Sequence, residues 1–539
     1  MKLPPGPTRE LTVKTDLFSF VLSQWDSPHV LTPEEKEEIR VDASRYLAIV
    51  RQIENVQRDI HPQPLPAETQ ARLTFARQSY MLRNFRLFRI NDLPTEIICD
   101  ILRLVIWDSM KRPVDARLCV TWACKRWRQI SLSDSTLWNA IWFRGAGPKA
   151  DRAWAWFERA RHSPLDIRID GPQDSSDESA VVDLSKEPSV TAVDMRQMFL
   201  RLLTKLCNLR MLIVVVDDWQ SALVILDLLK THGPSGVPLL QRFELHRGGL
   251  RNEDRRTLRW PGVVAQPFLG GGVAPSLEYL SLNGVPIDWS RSVLENLTTF
   301  DIRRLPAIYS PDAARFREIL FNCPRLQKLS MDGAGPIFEN PSGKQPAIYL
   351  PHLRTLVIAD FSLNYAMFLF SQFRAPNVND LTLMNLCGTS YVPLFLQITA
   401  SFPKVRLLSA YSIQFESSPL GCEAMTGWLD SMPLLAYLRV ANVANEFFGL
   451  FLRAPGSDKD PVAPKLATID IQSIEPRIFV QWAKDRRKAG APLHKMYISE
   501  ELGGRLELKH IRVLTSICIL AKLPGGATTP EEEALSLFP

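Results

Sequence analysis

Eight histidines, His29, His61, His162, His232, His246, His352, His494 and His510, are the residues best suited to proton transfer near neutral pH. They are isolated from one another, and the chain holds neither a G-x-S-x-G elbow nor an H-E-x-x-H zinc helix. Gly270-Gly271-Gly272 lies between Pro267 and Pro275, with no Lys-Ser/Thr after it, so it does not read as a phosphate loop. Asp217-Asp218 has the chemistry for a cation but reads as a solvated strand-end pair. Eight cysteines (Cys99, Cys119, Cys124, Cys207, Cys323, Cys387, Cys422, Cys518) form no C-x-x-C pair, and Cys119 and Cys124 lack a nearby histidine. Buried, reduced thiols are expected rather than zinc ligands or disulfides. The expectation is therefore no catalytic residue, no cofactor and no metal: a protein that is not an enzyme.

Basic residues gather twice. Arg242, His246, Arg247, Arg251, Arg255, Arg256 and Arg259 stand before Trp260, and Lys484, Arg486, Arg487 and Lys488 form a shorter run. Nucleic acid would need such residues on one face with aromatics to stack bases. Glu253 and Asp254 interrupt the first cluster, which favours a solvated loop, with docking of an acidic partner as the alternative. The whole chain, with 64 basic and 58 acidic side chains, carries only +6. No nucleic-acid partner is expected.

What must position the remaining chemistry is a large folded body. The 539 residues exceed one compact core, and 46% apolar with 23% charged residues excludes a disordered chain. The first residues, MKLPPGPTRELTVK, lack a hydrophobic signal core, and no apolar run approaches ~18 residues. No membrane partner is expected, and a cytoplasmic or nuclear location follows.

The stretch Arg89 to Phe143 reads as two or three short amphipathic helices. Asn91 and Asp92 can cap the first, whose opening turn holds Pro94 and Glu96. Ile97, Ile101 and Val105, with Ile98, Leu102 and Ile106 beside them, make one wide apolar face. A second helix puts Cys119, Ala123, Trp127 and Ile130 on one side, and Leu137-Trp138 close the segment.

Leu93, Pro94, Glu96 and Ile97, then Cys124-Lys125-Arg126-Trp127-Arg128 and Leu137-Trp138, resemble the F-box, in the form found in fungal F-box proteins. The resemblance covers roughly a tenth of the chain directly, and the charged stretch Trp107 to Asp115, with Pro113, departs from it. It implies docking onto a Skp-type adaptor, and through it a cullin scaffold, with Leu93, Pro94, Ile97, Ile101, Leu102 and Leu118 as adaptor contacts. Trp127 and Trp138 would hold the helices together.

Before this stretch, residues 1–30 read as a flexible arm and 31–88 as a charged helical region and linker. Thr32-Pro33-Glu34-Glu35 is a capping box for a helix to about Ile60, ended by Pro62, Pro64 and Pro66. Its sparse apolar positions favour packing against the following segment. Residues 144–194 connect onward: a helix over Ala150 to Arg161, a strand over Leu165 to Ile169, and an acidic serine loop at Asp174 to Ser179.

From about Met195 to residue 525, a helix-then-strand unit repeats. Its signature is Pro, any residue, Leu, two residues, apolar, any, apolar. Pro238, Pro275, Pro324, Pro351, Pro376, Pro403, Pro433 and Pro464 mark eight copies, and Leu209, Leu297 and Leu493 centre three without proline. The later prolines are spaced 27, 25, 27, 30 and 31 apart, against about 20–29 for leucine-rich repeats. Each proline is expected to stop a helix and open a strand. These units resemble irregular leucine-rich repeats. The fold class is α/β: an all-α F-box-like module at 89–143, then a curved solenoid with a parallel sheet, and a tail at 526–539.

The family resemblance and the repeats together imply the substrate-recognition subunit of a Skp–cullin–F-box type ubiquitin ligase. Strand alternation places Glu278, Ser281, Lys328, Ser330, Arg354, Val357, Thr382, Ser409, Arg439 and Asp470 outward on the concave face. Lys328, Arg354 and Arg439 are the expected contacts to an unidentified protein substrate. The alternative is a scaffold outside any ligase, whose F-box-like helices only cap the solenoid.

Overall fold

A computed structural model describes residues 31–60, 65–87, 90, 93–107, 113–144, 148–170, 191–216, 219–233, 236–247, 264–338, 346–453, 461–524 and 528–537. The chain divides into two compact units, Met1–Ala140 with Ala155–Ser163, and Ile141–Trp154 with Pro164–Pro539. No described helix is long and apolar enough to cross a membrane.

The first unit is helical. Helix α1 (Pro33–Ile60) starts on the expected box: Thr32 N–H donates to Glu35 Oε2 at 2.8 Å, and Glu35 N–H to Thr32 Oγ1 at 3.2 Å. It packs on α2 (Ala67–Leu87), a helix that sequence reading had left as linker, through Val50, Ile53, Leu73 and Ala76. Helix α1 ends at Ile60 as expected, and Pro66 C=O accepts the first bond of α2, from Gln70 N–H at 2.9 Å. Arg77 to Glu54 (2.7 Å) and Arg83 to Asp42 (3.2 Å) tie the pair laterally. Apolar burial on this charged hairpin is therefore narrow, and α2 supplies its partner.

Helices α3 (Thr95–Trp107), α4 (Pro113–Ala123) and α5 (Lys125–Ser133) follow. The single second helix expected from the sequence is two. Cys124 is extended (φ −159°), and its Sγ accepts from Trp127 N–H at 3.4 Å, capping α5. The break rotates α4 relative to the expected helix: Cys119 and Ala123 are exposed, and Arg117, Val120 and Thr121 are buried instead. Asn91 and Asp92, the expected caps of α3, lie outside the described residues, as do Asp174 to Ser179 and Asp217-Asp218.

The second unit is built on one parallel sheet of 14 strands. These are β1 (Ala140–Arg144), β2 (Leu165–Asp170), β3 (Leu209–Val216), β4 (Arg242–Arg247), β5 (Tyr279–Asn283), β6 (Thr299–Arg303) and β7 (Lys328–Asp332), then β9 (Thr355–Ala359), β11 (Asp380–Leu386), β12 (Leu407–Ile413), β13 (Tyr437–Ala441), β14 (Thr468–Gln472), β15 (Lys495–Ser499) and β16 (Ile519–Leu523). They neighbour one another in chain order; β8 (Ile348–Tyr349) and β10 (Phe373–Arg374) pair separately. Helices precede many strands, among them Ala313–Phe321, Leu363–Ser371, Val392–Ile398, Pro419–Asp430 and Pro476–Lys488. All five lie where the helix-then-strand pattern puts a helix.

The repeated proline does a different job from the expected one. It is the second residue of a tight turn, closed by the apolar residue two positions on. Leu240 N–H returns to Val237 C=O (3.2 Å), Leu326 to Cys323 (3.0 Å), Leu435 to Met432 (3.1 Å) and Leu466 to Ala463 (3.1 Å). Proline's fixed φ suits that position, and the strand starts four residues after it. The returning residue is buried in all eight copies. Strand exits share a second device, a left-handed residue: Gly284 (φ 64°), Arg304 (52°), Gly333 (57°), Asp360 (62°), Asn442 (52°) and Ser473 (53°). At four of them the N–H donates to the neighbouring strand's end, as Gly333 does to Ala359 C=O at 2.9 Å. Non-glycine residues pay about 1–2 kcal/mol for this geometry, which the extra ladder bond offsets at Arg304 and Asp360.

Candidate protein-docking surfaces

Helix α3 has two apolar faces, not one. Ile98, Leu102 and Ile106 recur every four residues and are fully buried. Pro94, Ile97 (46% exposed), Leu104 (69%), Val105 and Trp107 lie open to solvent, with Leu93 and Ile101 half-buried. Trp122 of α4 is 70% exposed, and Leu118 half-buried. Of the expected adaptor contacts, Leu93, Pro94, Ile97, Ile101 and Leu118 thus present some surface. Leu102 does not: its place in the inward row makes it core of the helical unit.

Buried polar groups fix the geometry around α3. Arg117 lies between the rings of Trp107 and Trp156, 4.7 Å from each centroid, and donates to Ala140 C=O at 2.6 Å. Burial, with no carboxylate partner among the described residues, pulls its guanidinium down to about 10. Trp138, expected in the core, is buried against Trp156 and donates its indole N–H to Ser131 C=O at 2.7 Å. Trp127 is only half-buried. Arg126 donates to Leu93 C=O at 3.1 Å, tying α5 to the start of α3. Arg103 reaches Thr136 Oγ1 and Asp134 Oδ2, both at 2.9 Å.

The second surface is one face of the sheet. Alternate strand positions carry the leucine pairs, such as Leu329 and Met331 or Leu381 and Leu383, all buried. The positions between them form registered polar rows. One row runs Glu244, Ser281, Asp301, Ser330, Val357, Thr382, Ser409, Arg439, Asp470, Tyr497 across ten adjacent strands. Beside it runs Arg242, Tyr279, Thr299, Lys328, Thr355, Asp380, Leu407, Tyr437, Thr468, Lys495. Lys328 and Arg439 belong to these rows as expected. Arg354 and Glu278 do not: each falls one residue before its strand.

Strand alternation overstated how open this face is. Ser281, Ser330, Ser409 and Asp470 are buried, because strands ~4.8 Å apart let the long residues of the flanking row close over short side chains. Many of the row's charges also pair with each other. Ser281 donates to Asp301 at 2.9 Å, and Arg303 holds Asp301 through two bonds of 2.9 and 2.8 Å. Arg242 and His246 converge on Glu244, the latter at 2.7 Å. Burial alone would raise the Glu244 carboxyl; these bonds outweigh it and hold it below its usual range.

Among the described residues, both basic clusters lose members to internal contacts. Arg242 and His246 are taken by Glu244, and Arg247 is buried with its guanidinium over the Trp219 ring. Residues 248–263 lie outside the described ones. In the second cluster Arg486 is fully buried and donates to Val462 C=O (3.0 Å) and Ala463 C=O (3.1 Å), pulled down to about 10 by burial. The cysteines also differ from expectation. Cys323 is buried, its thiol pushed up to about 11, but Cys119, Cys207 and Cys387 are exposed. Among the described residues no group of three His, Cys, Asp or Glu is arranged to hold a metal.

Residues 526–539, a tail by sequence, hold a further element of the polar face. The helix Pro530–Leu537 lies against β13 and β15. Glu532 pairs with Arg439, and Glu531 accepts from Lys495 Nζ at 2.8 Å and Tyr497 OH at 2.6 Å. Thr529 is buried, donates to Tyr437 OH at 3.2 Å, and forms a capping box with Glu532. The signal was available: Thr529-Pro530-Glu531-Glu532 repeats, letter for letter, the Thr32-Pro33-Glu34-Glu35 box of α1. Arg439, expected to meet a substrate, meets this helix instead.

No family model matches the chain, and no curated protein does.

Proposed function

We propose that the chain is the substrate receptor of a Skp–cullin–F-box type ubiquitin ligase. The outward face of α3 docks the adaptor, and the second unit, read as a leucine-rich-repeat-like solenoid, holds the target protein. The receptor does no bond chemistry. Holding ligase and target on one chain converts ubiquitin transfer from a bimolecular encounter into one at high effective concentration.

The observation that carries this reading is the exposure of Pro94 and Ile97, beside Leu104 and Val105, on a helix whose other face is already packed. Side chains serving only as local core would be buried, as Ile98, Leu102 and Ile106 are. An open apolar strip of this kind is characteristic of a surface that meets another protein. It falls at the residues that carry the F-box resemblance.

The test is capture of purified Skp-type adaptor by wild type and by the Leu93→Ala/Pro94→Ala double variant. Wild type is expected to retain adaptor and the variant to lose most of it. If folded wild-type chain retains none, the ligase reading ends and an interaction scaffold replaces it.

A further inference from the structure

The polar face carries a ligand of its own, and its contacts define what that site recognises. Arg439 on β13 and Lys495 with Tyr497 on β15 are set by the sheet: Arg439 and Tyr497 register with the two sides of Asp470, and Tyr437 and Lys495 with Thr468. Asp470 is buried 3.7 Å from the Arg439 guanidinium, and the Lys495 ammonium lies 4.7 Å over the Tyr497 ring. Two cations and two phenols are thus held at fixed spacing by three rigid strands. They receive two adjacent carboxylates and one buried threonine hydroxyl.

Among the described residues, polar contacts from Thr529, Glu531 and Glu532 tie the seated helix to the sheet. Glu533 and Ala534 are exposed, Leu535 is half-buried, and the helix has only eight residues. A helix this short does not persist alone in water, so its order depends on docking. Its position also carries a cost. Glu532 sits near Asp380 and Asp470, two carboxylates already raised by burial, and adds like charge to both. Ion pairs that form against such repulsion favour exchange with another ligand of the same chemistry.

We propose that Arg439, Lys495, Tyr437 and Tyr497 form a binding site for acidic peptide segments of the Thr-Pro-Glu-Glu type, occupied in cis by Thr529–Glu532. The segment then acts as a built-in competitor: a target presenting adjacent carboxylates after a buried threonine must displace it. This rests on reading the second unit as the target-holding part, for which it names the class of target.

The experiment uses the full chain and a fluorescein-labelled peptide of residues 526–537, read by anisotropy. Glu531→Gln/Glu532→Gln in the chain frees the site and is expected to bind the peptide at least ten-fold tighter than wild type. Adding Arg439→Gln or Lys495→Met to that chain is expected to abolish the gain, and a peptide with both glutamates as glutamine is expected not to bind. If the freed chain binds no tighter than wild type, or the gain survives Lys495→Met, the proposal is overturned. Lys495→Met decides the matter even if Arg439→Gln fails to fold, because it keeps the aliphatic stem and removes only the ammonium. No arm contains adaptor, so failure here and failure of adaptor capture are read separately.

Discussion

Ile97 and Ile98 are adjacent on one helix, yet Ile97 is 46% exposed and Ile98 fully buried. A step of 100° around α3 separates a surface residue from a core residue. The two positions therefore separate docking from folding. Ile97→Asp is expected to shift stability by less than about 0.5 kcal/mol, as surface substitutions do, and to abolish adaptor capture. Ile98→Ala is expected to cost about 2–4 kcal/mol through the cavity it leaves, and to weaken capture only through unfolding. Denaturant midpoints with adaptor titrations on both variants check this; equal stability loss would place Ile97 in the core.

Arg486 makes a second, opposite case: a residue that reads as part of a surface charge cluster and is structural. Its two donors satisfy Val462 and Ala463 C=O at the turn that Pro464 opens. Arg486→Met keeps the stem and takes the side-chain donor from Val462 C=O, while Ala463 C=O keeps the Leu466 N–H. An orphaned buried polar group costs about 1–3 kcal/mol, so a loss of roughly 1–3 kcal/mol is expected in urea unfolding. Neighbouring Lys488→Met, exposed and 3.5 Å from Asp485, is expected to change stability by less than about 0.5 kcal/mol.

These two cases mark where the sequence was legible and where it stopped being so. The strand positions were readable because a period of two, a leading proline and an apolar triplet recur together, and the strands at Leu329, Leu356, Leu381, Leu408, Leu438 and Ile469 stand where they point. The proline's actual role was not readable, since turn and strand start tolerate it equally. On α3 the rows 97/101/105 and 98/102/106 are both wholly aliphatic, and only the packing partner decides which is inside. The burial of Ser281 and Asp470 depends on residues from neighbouring strands tens of positions away. The pairing of the polar face with its occupant is not legible for the same reason: Arg439 and Glu532 are brought together only by the sheet.

Asp380 gives the polar face a pH signature. Burial, and then the nearby Glu532, push its carboxyl up to about 6, against the opposing pull of Arg439, Lys328 and a bond to Thr355. In the unfolded chain an aspartate titrates near 4. Between about pH 4 and 6 the folded state keeps a proton that the unfolded state has released, so this contribution is full below about pH 4 and lost as pH rises through about 6. Asp380→Asn, neutral throughout, is therefore expected to stabilise the chain at pH 7.5 by at most about 3 kcal/mol, and by much less at pH 4.5. A gain equal at both pH values would mean that Asp380 is ionised in the folded protein across the range.

The two Thr-Pro-Glu-Glu boxes allow a paired comparison in one molecule. Thr32 and Thr529 make the same reciprocal bonds, to Glu35 and to Glu532, and removing either cap costs about 0.5–2 kcal/mol locally. The consequences differ because the helices are held differently. Helix α1 is anchored by Val50 and Ile53 against Leu73 and Ala76, so Thr32→Ala is expected to free only its first turn. The Pro530–Leu537 helix rests on few polar contacts, one of them from Thr529 to the Tyr437 hydroxyl, whose proton burial holds to about 12. There the same loss is a large fraction of the docking energy. Thr529→Ala is expected to speed amide exchange across residues 531–537 by roughly 5–30-fold, the factor that about 1–2 kcal/mol supplies. The global unfolding midpoint should stay where it is, because this helix opens without the sheet. Exchange confined to the first turn in both variants would mean that the acidic helix is held by more than its cap and its carboxylates.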